Sequence, residues 1–157
     1  MTKSEALVRP RAPNRMPLPA DIPEEFIGDY QEACAVLPDS PKASAALSRR
    51  CLQNLLREHF SVEHGNLHEE IAEVVPKLPS YLAAAVDAVR IIGNFAAHPM
   101  KSTNSGEVLD VEPGEAEWSL DVLESLFDFC FVQPAVLKQK REALNEKLSD
   151  AGKAEMR

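Results

Sequence analysis

The run Ser80 to Met100, SYLAAAVDAVRIIGNFAAHPM, decides how the rest of this chain is read. Placed on a helix at about 100° per residue, its apolar side chains Leu82, Val86, Val89, Ile91, Ile92 and Phe95 face several directions, the pattern of a helix inside a bundle. One seam interrupts it. Asp87, Arg90, Asn94 and His98 follow at i+3 or i+4 steps and fall within about 80° of arc. Buried without partners, such groups would each cost about 1–3 kcal/mol, and more for a charge. They are therefore expected to bond one another, a neighbouring helix, a second subunit or a ligand. Gly93 sits among them, and a mid-helix glycine costs about 1 kcal/mol relative to alanine, so a close approach of another backbone or a ligand is expected there.

Working outward, helical signals recur on both sides. Pro23 with Glu24 and Glu25 opens a helix whose Phe26, Tyr30, Ala33 and Leu37 are at helical spacing, and Pro38 closes it. Ser40-Pro41 starts a second helix that runs to about Phe60 with Leu47, Cys51, Leu52, Leu55 and Leu56 on one face. Arg49 and Arg50 flank that face; their stems can cover the core edge, or Arg50 can reach the seam. Asn66 with Glu69 predicts a capping box for a short helix ending at Pro76. Pro99 stops the central helix, and residues 101–112 read as a loop with at most a stub of strand around Val108–Val111. Pro113 opens a last core helix carrying Trp118, Val122, Leu123, Leu126, Phe127, Cys130 and Phe131, with Pro134 expected to end it. The tail from Ala135 spaces Leu137, Leu144 and Leu148 among charges, suited to packing on the bundle or to a short helix pair, and is expected to fray at its end.

These elements predict an all-α bundle of about five helices. Residues 1–20 form an extended Pro-rich arm, 21–133 the bundle and 134–157 a helical tail. With 157 residues one domain is expected. The net charge of −8 argues against broad, sequence-blind duplex binding, although the arm carries Lys3, Arg9, Arg11 and Arg15. Cys34, Cys51 and Cys130 are odd in number and lie in apolar contexts, as expected of thiols in a reducing cytoplasm. No run approaches the roughly 18 apolar residues of a membrane span, and no apolar leader opens the chain. His64 and His68 stand at i, i+4, but no further ligand is near, so no metal and no other cofactor is expected.

As a site, the seam has the groups for metal-free RNA cleavage. His98 at a helix C-terminus suits proton transfer, Arg90 suits a phosphate, Asn94 suits orienting a substrate, and Asp87 suits holding Arg90. A two-fold dimer would supply a second histidine. Equally, the seam can be a structural polar ladder that fixes helix register.

The block Arg90-Ile-Ile-Gly93-Asn94-Phe-Ala-Ala97-His98, with Ala45–Leu52 and Ile22–Ala33 before it, resembles the bacterial domain-of-unknown-function family 4145 over about residues 17–132. The resemblance implies a helical fold related to the HEPN superfamily, many of whose members are dimeric, metal-independent ribonucleases of toxin and defence systems. It further implies restriction or antitoxin proteins, RNA or other nucleic acid, and a second copy as partners. The usual HEPN motif is Arg, a polar residue, three variable residues and His. Asn94 and His98 match it, but Gly93 stands in the arginine place and only Arg90, one turn earlier, can substitute. The expectation is therefore an accessory nucleic-acid-associated or protein-interaction module, with an endoribonuclease using Arg90, Asn94 and His98, or a purely structural dimerisation domain, as alternatives.

Overall fold

A computed structural model describes residues 15–97, 100–101 and 108–157, with the backbone alone at 92–97, 100–101 and 108–109. Six α-helices follow in order among the described residues: α1 Glu24–Val36, α2 Pro41–Phe60, α3 Leu67–Val74, α4 Ser80–Ala97, α5 Pro113–Phe127 and α6 Gln133–Asp150. The first five make the bundle and α6 is the tail. The Ser40 hydroxyl caps α2 by accepting from the Ala43 N–H at 3.1 Å, and Asn66 and Glu69 close the capping box of α3. A two-residue antiparallel ladder, β1 Met100–Lys101 with β2 Val108–Leu109, supplies the expected stub of strand and its partner.

Helix α2 is the bundle's centre, packing on α1, α3, α4 and α5. Its Cys51, Leu52, Leu55 and Leu56 are fully enclosed together with Phe26, Leu67, Val74, Leu82, Val86, Leu120, Leu123 and Leu126. Aromatic rings close one end. Phe127 meets Phe26 at 6.4 Å between centroids and Tyr30 edge-on at 5.9 Å, and Phe131 stacks on Phe26 at 5.6 Å. Cys34, Cys51 and Cys130 are buried and unpaired, and burial pushes the Cys51 and Cys130 thiols up to about 12.

Two expectations need correction. Pro134 does not end a helix: α5 gives way at Asp128 to a π-helical turn, Asp128–Val132, and α6 continues beyond it with Pro134 in its first turn, where a missing N–H is tolerated. The tail does not lie on the bundle, because no residue of α6 is buried and its main neighbour is the π turn. Gly152 turns the chain at φ +69°, and the Asn145 side chain accepts from the Met156 N–H at 2.9 Å and donates to its carbonyl at 3.3 Å.

Within the described arm, Arg15 is tied to the bundle. Its guanidinium donates to Asp121 at 2.7 Å, to Glu124 at 2.9 Å and to the Glu117 carbonyl at 3.1 Å, while the Tyr30 hydroxyl bonds the same Glu124 carboxylate. Burial works against the cation, but the two carboxylates outweigh it and raise the Arg15 pKa; burial, then the bond to Glu124, also raises that of Tyr30. Lys3, Arg9 and Arg11 lie outside the described residues.

Candidate functional site

The seam begins on α4, whose burial differs from that of a rod enclosed on every side. Leu82, Val86 and Val89 face the core, whereas Tyr81 is 69% and Ile91 45% exposed. Asp87 and Arg90 therefore sit at the helix margin, half in water, and the cost of burying them is correspondingly small.

There they line a cleft between α3 and α4. It has a volume of about 350 Å3, a floor of Ile71, Ala72, Val75, Ala83 and Ala84, and a polar edge of His68, Asp87 and Arg90. Arg90 Nε donates to Asp87 Oδ1 at 2.9 Å, one helical turn back, which holds the guanidinium in one rotamer. Its Nη1 lies 2.9 Å from His68 Nδ1. A guanidinium has only donors, so a hydrogen bond here uses Nδ1 as its acceptor. His68 and Arg90 thus meet across α3 and α4. The sequence pairs His68 with His64; the fold instead carries it, as the second residue of α3, to α4. No cluster of three metal-ligating side chains occurs among the described residues.

The other site residues are distributed differently. Arg50 points to α1, where its Nε is 3.2 Å from Asp29 Oδ2. Gly93 and Asn94 belong to the last turns of α4, but the placement of the Asn94 side chain and the whole of His98 lie outside the described residues.

A second polar centre was not expected. Glu70, fully buried, accepts through Oε1 from Arg57 Nε at 2.8 Å, from Arg57 Nη2 at 2.6 Å and from the Gly65 N–H at 3.0 Å. Burial raises its pKa, yet Arg57, the Gly65 N–H and Gln53 together hold it below the usual carboxylate value. The sequence carries a signal for it, since Leu67, Glu70, Ile71 and Val74 share one helical stripe and a carboxylate among three apolar residues needs a buried cation. Its role is structural: it ties α2, the connection to α3 and α3 itself together.

The family can now be placed. The sequence profile of a domain of unknown function, DUF4145, matches residues 31–147. The chain belongs to the DUF4145 family. No curated protein and no solved structure matches it. The DUF4145 match ends inside α6, so most of the exposed tail helix is part of the family's domain and not an appendage to it. Every residue of the α3–α4 cleft and of the Glu70 centre also falls within it. None of the DUF4145 helices described is long and apolar enough to cross a membrane.

Proposed function

We propose that this DUF4145 chain is a non-catalytic protein-interaction module of the defence or restriction type that works as a homodimer through the outward face of α4. The observation that carries this reading is that face itself. Tyr81, Ala84, Ala88 and Ile91 follow at i+3 or i+4 steps and form an uncharged strip, with Tyr81 and Ile91 the large exposed apolar residues among the described side chains of the helix. Two chains of net charge −8 repel one another over most approaches, and an uncharged strip with two alanines is where two helices can come close. A two-fold contact there is self-complementary. It would also set the two α3–α4 clefts beside the interface.

Four arginines of the arm and bundle favour protein over nucleic acid as the partner. Arg15, Arg50, Arg57 and Arg90 each hold a carboxylate already, so a phosphate would have to displace an internal acid from each. Light scattering on the whole protein and on Ile91→Lys tests the reading. The expected masses are two chains and one chain, with the same helical circular dichroism. A single-chain mass for both proteins, or two chains for both, overturns it. Incubation with single-stranded RNA in EDTA should leave the RNA intact; cleavage that His98→Ala abolishes would replace this reading with the endoribonuclease one.

A further inference from the structure

Helix α6 is 18 residues long, about 27 Å, and has no buried residue. A lone helix of that length is marginal in water and ordinarily gains its stability from a surface packed against one face. Leu137, Leu144 and Leu148 lie within about 40° of arc on it, with Leu137 64% and Leu144 46% exposed. Lys140 and Lys147 border the leucine stripe on one side, Arg141 and Lys138 on the other, while Glu142, Glu146 and Asp150 occupy the far side. The leucines are thus framed by positive charge. Pairing of α6 with another α6 would set lysine against lysine along both borders and is disfavoured. What fits the stripe is an apolar surface with an acidic border.

The chain displays a single exposed aromatic ring with such a border. Trp118, its only tryptophan, is 46% exposed on α5. Gly114 and Ser125 share its face, and a Cβ added at Gly114 would meet nothing within 4 Å, so the side of α5 is open there. Glu115, Glu117 and Asp121 border the ring, with Glu124 beyond; Arg15 answers only part of this charge by holding Asp121 and Glu124. An α6 cannot easily serve its own Trp118, because the π turn joins α5 to α6 and α6 has its main contacts with that turn.

We infer that α6 of one copy docks its leucine stripe on the Trp118 strip of a second copy, and that the second copy reciprocates. The inference rests on the self-association reading and deepens it by naming a second contact between the copies, on α5, which packs beside α4. The aromatic anchor carries the contact and the Lys/Arg-to-Glu/Asp border sets its register.

Acrylamide quenching of Trp118 fluorescence, read against protein concentration in the full chain, tests it. Wild-type protein is expected to become less quenchable as concentration rises through the micromolar range. Leu144→Lys, at a residue already exposed and so harmless to the fold, should need at least about tenfold more protein to show the same protection. Quenching that is identical in the two proteins at every concentration overturns the inference. So does wild-type protection that is independent of concentration and lost in the variant, which would mean that α6 folds onto its own chain. The two readings separate cleanly. A single-chain mass for Ile91→Lys with no Trp118 response to Leu144→Lys keeps the α4 contact and removes this one. The reverse pattern keeps this one alone.

Discussion

Glu70→Ala is expected to destabilise the fold by about 3 kcal/mol at neutral pH, because it strands Arg57 and the Gly65 N–H at once. The figure is at the low end for a buried ion pair, since Arg57 is partly exposed and can recover some hydration. The same carboxylate gives an acid limb of known sign. Its folded pKa lies below the ordinary value of about 4.3, so its contribution is complete above that value and is lost as pH falls through the folded pKa. Glu70→Gln, which keeps the shape and removes the charge, should therefore lower stability at pH 7 and flatten the loss of stability on acidification. Urea unfolding of the three proteins at neutral and acidic pH provides the measurement. If Glu70→Ala costs less than about 0.5 kcal/mol, the carboxylate does not hold α2 to α3.

The second large effect belongs to the aromatic end of the core. Phe127→Ala removes a ring that touches Phe26, Tyr30 and Phe131 and stands one residue before the π turn. The loss should be about 3–5 kcal/mol, or about 10 °C in melting temperature for a chain of this size. Phe127→Leu keeps most of the volume and should cost less than about 1.5 kcal/mol. Equal melting temperatures for the alanine variant and wild type would show that α1 and α5 are not held together by these rings. The variant also bears on α6, whose direction is set where α5 passes into the π turn.

The helices were legible because their signals are local. Ser40-Pro41, Asn66 with Glu69, and Pro113 mark starts by satisfying or removing backbone N–H groups within one turn, and the structure begins helices at each. Pro134 misled for the same reason. A proline says that an N–H is missing, not whether the preceding turn has already widened to accommodate it, and the π turn at Asp128–Val132 does so. The Asp87–Arg90 half of the seam followed from i+3 spacing on one helix. His68, which completes it, did not, since 22 residues of chain separate it from Arg90 and only the packing of α3 on α4 closes that distance.

Sequence by itself determined that the chain is an all-helical bundle, where the helices begin, most of the leucines and aromatics that form the core, with Trp118 and Ile91 left exposed against expectation, and which family it belongs to. All of these rest on periodicity, capping and motif, which are properties of neighbours along the chain. The tertiary structure alone decided which charges meet: Arg57 with Glu70, Arg15 with Glu124, Arg50 with Asp29, and Arg90 with His68. It alone decided that one side of the described part of α4 is left uncovered and that no residue of α6 is buried. An ion pair or a bare apolar stripe depends on which surfaces packing has already consumed, and no stretch of sequence records that.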